Sequence, residues 1–184
     1  MSSESQPWHA AFPAPKPEFT AEVMPRNRAF MILSMRIASM VMIDVRRTDY
    51  EGGCIRGSLN IPAHGFWWNR GMLYELCYKA GIEWVVFYCG SSNGRGPRCA
   101  SWFLQHVRET AGDKDMNVMV LEGGIKGWVK AGPQSIQFMD GYEEEYWKGL
   151  FEEEEKKKSA ESSDKAASEG GRVASAVGEG DVLK

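Results

Sequence analysis

Cys89 and Arg95 are separated by Gly90, Ser91, Ser92, Asn93 and Gly94 within the stretch FYCGSSNGRGPR, residues 87–98. An ionised thiol is a nucleophile, and a guanidinium fork grips two oxygens of a phosphate-like group. The intervening residues are small or polar, and two of them are glycine. Such a segment curls so that successive backbone N–H groups point inward. A nest of this kind, closed by a helix N-terminus, holds an oxyanion. The same field favours thiolate over thiol. The spacing predicts Cys89 as nucleophile and Arg95 as the anion clamp. Gly90, Ser91, Ser92, Asn93 and Gly94 are predicted to form the backbone cradle that binds the substrate.

A strand must deliver the thiol and a helix must close the loop. WVVFYC (84–89) is a continuous apolar run, as expected of a strand buried on both faces. PRCASWFLQHV (97–107) opens with a proline suited to a first helical turn. Two more buried strands are predicted at 40–45 (MVMIDV) and 117–121 (NVMVL). Helices are predicted at 71–81, ending at Gly81, and at 124–132, closed by Gly132. The apolar window from Ala29 to Ile43 reads as helix plus strand. FWWN (66–69) reads as aromatic packing under a loop, or as a lining of the approach to the site. Strands alternating with helices predict an α/β fold with a central, mainly parallel sheet flanked by helices.

The chain has 184 residues, 43% of them hydrophobic, enough for one ordinary domain with extensions. Residues 1–20, rich in Pro and Ser, predict a flexible arm, and 21–151 the catalytic domain. Residues 152–184 predict a charged tail that starts helical and becomes largely disordered. A net charge of -3 gives no reason to expect nucleic acid or a membrane surface as partner. The four cysteines form no C-x-x-C pair, and the three histidines are scattered, so no metal is expected. The N-terminus carries no signal pattern, and the most apolar window contains Arg36. A cytoplasmic or nuclear location with reduced thiols is expected.

CGSSNGRGPR resembles the signature loop of cysteine-dependent phosphatases. Its RGPR ending is similar to that of the M-phase inducer (cell-division-cycle dual-specificity) phosphatases and the related eukaryotic arsenate reductases, which share the rhodanese fold. MIDVRRTDYEGGCIRGSLNIPA resembles the first rhodanese signature, and VLEGGIKGW its closing Leu-x-Gly-Gly-x-x-x-Trp segment. Together these matches run from about residue 40 to residue 130. The resemblance implies a rhodanese-like domain. It also implies a cysteine-based protein phosphatase or arsenate reductase acting on a phosphorylated protein or a small oxyanion such as phosphate or arsenate. No bound cofactor is implied, and arsenate reduction would draw on glutathione or glutaredoxin as external reductant. Sulfurtransferases of this fold have a loop one residue shorter. Two alternatives stay open: sulfur transfer through a Cys89 persulfide, and a phosphate-binding domain without turnover. The chain departs from the phosphatase pattern at Tyr88, where His is usual, and at Cys54, also usually His. Its loop also carries no acidic residue.

The resemblance further implies that Asp44 supports the catalytic loop by pairing with an arginine; a simple turn cap is the alternative. Arg46 stands in the same position. Phosphate ester cleavage needs a proton for the leaving oxygen, and Glu122 and His64 are the candidates. Asp49 and Glu51 read as solvated or capping. Cys54 and Cys99 are candidate resolving thiols, with Cys99 more readily a core residue, and Cys77 lies on an apolar helix face.

Overall fold

The computed structural model describes residues 7–173, with side chains described to residue 160. It divides into two compact units at the junction of Tyr142 and Glu143. The first holds β1 (Glu22–Met24), α1 (Arg26–Met35), β2 (Met40–Asp44), β3 (Cys54–Ile55), β4 (Leu59–Asn60) and α2 (Ala63–Lys79). It continues through β5 (Trp84–Tyr88), α3 (Arg95–Gln105), β6 (Asn117–Leu121), α4 (Gly124–Lys130), α5 (Pro133–Ile136) and β7 (Met139–Asp140).

Five strands form one sheet in the order β1-β6-β5-β2-β4, and every pairing is parallel. β5 lies at its centre, in register with β2 from Met40↔Trp84 to Asp44↔Tyr88. The expected parallel sheet is therefore present. Its short edge strands β1 and β4 carry too few residues for an apolar pattern to mark them. β3 and β7 pair antiparallel in a separate ribbon, Cys54 opposite Asp140.

Strand residues alternate between two buried faces. Ile43, Val85, Phe87, Val118 and Val120 pack with Phe66 and Leu73 of α2 and with Cys99, Ala100 and Phe103 of α3. Phe66 meets Phe87 edge-on at 5.2 Å, and Phe87 lies 5.6 Å from Phe103. Each ring contributes about 2–3 kcal/mol by leaving water. The alternate residues Met42, Val86, Tyr88, Met119 and Leu121 are buried too, as are Ala29 and Ile32 of α1 and Ile125 and Trp128 of α4.

Two elements differ from expectation. α2 begins at Ala63, eight residues before the predicted start at 71, so FWWN is helical. Gly65 and Gly71 lower the local helix propensity there, and burial of Phe66 outweighs it. Trp67 stacks on Phe12 at 5.7 Å, while Trp68 is exposed. The N-terminal segment, expected as a flexible arm, is docked from Pro7 onward. Trp8 and Phe12 pack against the core, and the Trp102 indole N–H donates to the Pro13 carbonyl at 2.8 Å. Aromatic burial outweighs the composition bias of that stretch.

The second unit consists of α6 (Glu144–Val173), with the rings of Trp147 and Phe151 5.7 Å apart, one turn along the helix. The helix extends well past residue 152; the remainder of the predicted disordered tail, 174–184, lies outside the described residues.

Candidate active site

Cys89 directly follows β5, at the carboxyl edge where parallel sheets bind ligands. It is buried, with 4% of its surface exposed. Arg95 is the first residue of α3, which opens two residues before the predicted Pro97. Arg95 is thus rooted in helix. Pro97 falls within the first turn, where its missing N–H leaves no bond unmade.

Between them the loop is fastened by its first carbonyls. The carbonyls of Cys89 and Gly90 accept from the N–H groups of Ile125 and Lys126, each at 3.0 Å, in the first turn of α4. Among the described residues, the amides of Gly90, Ser91, Ser92, Asn93 and Gly94 donate to no protein acceptor. Ser92 sits at φ +56°, an uncommon backbone for a serine. Its buried Oγ likewise has no hydrogen-bond partner. Unmet donors and a residue at positive φ thus coincide at one loop, leaving these groups free for a ligand.

Gly124 makes the contact with α4 feasible. Its φ is +58°, and a Cβ there would lie 2.4 Å from the Cys89 carbonyl oxygen and 2.6 Å from that of Gly90.

Asp44 ends β2 beside Tyr88, fully buried. It accepts from Arg46 Nη2 at 2.7 Å and from Nε at 2.9 Å. The same guanidinium donates to the carbonyls of Gly53 at 2.7 Å and Glu51 at 3.0 Å. Burial opposes the Arg46 charge, but the Asp44 hydrogen bonds and charge leave its pKa above the ordinary arginine value. Asp44 is thus paired with Arg46, and the pair braces the loop after β2; its hydrogen bonds do not reach Arg95.

Arg95 is held instead by Asp49. Nη1 donates to Oδ1 at 2.7 Å, and Nη2 donates to Oδ2. The Arg95 hydrogen bond holds the Asp49 carboxyl at about 2, well below its usual value. The reciprocal bond raises the Arg95 pKa, with the charges of Asp49, Cys89 and Asp44 adding to it. Asp49, read from sequence as solvated or capping, therefore belongs to the site. The available signal was its place between two strand ends and the need of an ordered arginine for a counter-ion.

The two expected proton donors are placed differently. The Glu122 carboxylate accepts from the Arg26 backbone N–H at 3.3 Å, at the start of α1. His64 lies within the field of the site. Burial, then the charges of Arg47 and Arg95, push its pKa down, so it is neutral near pH 7.

The rhodanese-like domain model matches residues 33–131, more than half of the chain and everything from β2 to α4. The chain belongs to the rhodanese-like family. Its branch is that of plant arsenate reductase 2 and the Cdc25-like phosphatases. Over 110 residues it is 45% identical to arsenate reductase 2.2 of Oryza sativa subsp. japonica, covering 58% of this chain and 82% of the rice protein. It is 32% identical over 100 residues to the dual specificity phosphatase Cdc25 of Arabidopsis thaliana, covering 53% of this chain and 66% of that protein. The solved structure of Saccharomyces cerevisiae Ygr203w, a homologue of single-domain rhodanese and the Cdc25 phosphatase catalytic domain, superposes with a TM-score of 0.58. It has 21% identity and covers 69% of this chain and 91% of the yeast chain. That likeness shows the rhodanese fold.

Within this rhodanese-like domain Tyr88 occupies the position before the cysteine. Its hydroxyl accepts from the Ile55 N–H at 3.2 Å and shares a hydrogen bond with Ser58 Oγ at 2.9 Å. Burial pushes its pKa far up, so it stays a neutral strut between β5 and β3. All four cysteines are free thiols. The neighbouring Cys54, then burial, raise the Tyr50 pKa to about 12. Burial pushes Cys77 up to about 11, and burial followed by the Cys89 charge pushes Cys99 higher still. Among the described residues no His, Cys, Asp and Glu cluster is arranged to hold a metal, and no helix is long and apolar enough to cross a membrane.

Proposed function

We propose that this chain is a cysteine-based oxyanion enzyme of the arsenate reductase kind, with Cys89 as nucleophile. The observation that carries the proposal is the run of amides from Gly90 to Gly94 without a protein acceptor, set between the Cys89 thiol and the Arg95 guanidinium. Inward N–H groups at a helix N-terminus bind a tetrahedral oxyanion and stabilise the charge that develops on it. The Cys89 sulfur attacks the central atom, and the S–As or S–P bond forms as a bond to oxygen breaks. With arsenate, water leaves, and two external thiols of the glutathione or glutaredoxin type supply two electrons. They form a disulfide as arsenic passes from the pentavalent to the trivalent state, and the S–As bond breaks to release arsenite and return the Cys89 thiol. The 45% identity to the rice arsenate reductase supports this substrate.

Phosphate ester hydrolysis is the second reading, supported by the identity to the Arabidopsis phosphatase. It uses the same cradle, with a cysteinyl-phosphate opened by water and a phosphorylated protein as the substrate class. Asp44 takes a supporting role, acting through Arg46 and the loop it braces.

The test is turnover by the purified protein and its Cys89→Ser variant on three substrates: arsenate with glutathione and glutaredoxin, an aryl phosphate, and thiosulfate with cyanide. Cys89-dependent loss of arsenate is expected. Cys89-dependent transfer of sulfur to cyanide alone would overturn the proposal in favour of a persulfide. Vanadate binding with no turnover of any substrate would reduce the site to a binding module.

A further inference from the structure

The Arg95 fork, which the proposed function assigns to the substrate, already holds a carboxylate. Asp49 engages both Nη atoms in the two-point geometry that a phosphate or arsenate would use. An incoming oxyanion and Asp49 therefore compete for one guanidinium. Resting on that function, we propose that Asp49 is the site's proton carrier: the substrate anion displaces it from Arg95, and the freed carboxyl then protonates the departing oxygen.

The displacement reverses the field at Asp49. In the free site a cation grips it, and its side chain is 42% exposed, so it has room to swing out. Once the fork is taken, Asp49 faces an anion instead, and a carboxyl next to an anion holds its proton. The proton comes from solvent on binding. As the Cys89 sulfur bonds to arsenic or phosphorus, the bond to the departing oxygen breaks and that oxygen takes the Asp49 proton. It leaves as water from arsenate or as an alcohol from an ester. When product leaves, Asp49 returns ionised to Arg95.

No other group at the site fits the role. Asp49 meets Arg95 from α3, Arg46 and the Arg47 backbone from its own loop, and His64 from α2, with Tyr50 and Glu51 next in the chain and Cys89 acting on Arg95. The arginines keep their protons, His64 is neutral near pH 7, and Cys89 is the nucleophile. The loop itself has no acid.

The test uses inorganic sulfate, which remains a dianion in the acid range, and the Cys89→Ser protein, which removes the thiol from the proton count. Calorimetry in two buffers of different ionisation enthalpy, between about pH 4 and 6, reads protons taken up per sulfate bound. Uptake approaching one proton is expected at the acid end, falling as pH rises. In Cys89→Ser with Asp49→Asn that uptake should vanish and sulfate should bind more tightly, by up to about 5-fold, because no carboxylate competes. Equal uptake in both proteins, or weaker binding by the Asn variant, would overturn the proposal. Sulfate binding to neither would contradict the cradle and this proposal together. A turnover arm separates it from the proposed function. Asp49→Asn alone should slow phenyl phosphate hydrolysis by about 10²-fold or more, and that of 2,4-dinitrophenyl phosphate, whose leaving group needs no proton, far less. Sulfate binding with proton uptake but no turnover by the wild type would sink the enzyme reading and leave Asp49 exchange standing.

Discussion

Gly124→Ala tests the contact between α4 and the loop from Cys89 to Arg95. The residue lies at φ +58°, where an L side chain is strained, at a cost of about 1–2 kcal/mol. Its Cβ would fall 2.4 Å from the Cys89 carbonyl oxygen and 2.6 Å from that of Gly90. Both neighbours are backbone, so no rotamer change relieves the overlap, and the loop must move off α4. That stretches two N–H···O bonds, from Ile125 and Lys126, each worth about 1 kcal/mol net. The expected loss of stability is about 3–4 kcal/mol. Gly57→Ala is the control: φ is +71°, but nothing lies within 4 Å of the added carbon, so strain alone, about 1–2 kcal/mol, applies. Urea unfolding of both variants gives the difference, with the Gly124 variant about 2 kcal/mol less stable than the Gly57 variant. Turnover by the folded Gly124 variant should also collapse, because the carbonyls that must shift belong to Cys89, the proposed nucleophile, and its neighbour. Equal destabilisation by the two substitutions, with turnover retained, would refute the role given to α4.

Asp44→Ala should cost about 3–5 kcal/mol in urea unfolding, because it leaves the fully buried Arg46 charge without its carboxylate; a loss under about 1 kcal/mol would show that the pair is dispensable. At about pH 6.5, iodoacetamide should label Cys89 well before Cys77, whose thiol burial pushes up to about 11, and before Cys99, and phosphate or arsenate should slow the labelling. Equal labelling that ignores the anions, followed by peptide mass analysis, would count against an activated thiol. Asp49 has its folded pKa depressed to about 2, so its contribution is full above the unfolded carboxyl value near ~3.9 and is lost as pH falls toward about 2. With the pair partly exposed, that contribution is under about 1 kcal/mol. Urea unfolding of the wild type against Asp49→Asn across that window should show the gap closing with acid, and a gap that widens would be the wrong sign.

Much of the fold was legible because its central strands are long and apolar on both faces. MVMID, WVVFY and NVMVL need no context to be read as buried strands. The two-residue strands β3, β4 and β7 leave no periodic signal. α2 was read eight residues short because two glycines and a run of aromatics mask its first turns. The burial of Phe66 against Phe87 is a tertiary fact that local propensity does not carry. The placement of the loop from Cys89 to Arg95 was legible, since strand end, short polar segment and helix start are contiguous. The Asp49 pairing with Arg95 was not, because that contact spans 46 positions in the chain. Asp44 was rightly placed at a strand end, but the arginine it meets is its neighbour Arg46, which a family pattern alone did not single out.

The most direct measurement is mass analysis of the Cys89 peptide after rapid acid quench of the protein during turnover of an aryl phosphate, and in parallel with arsenate before reductant is added. The mechanism requires a covalent phosphoryl or arsenyl adduct on Cys89, absent from Cys89→Ser and strengthened when the second step is slowed. Turnover proceeding with Cys89 unmodified at every quench time would contradict attack by this thiol.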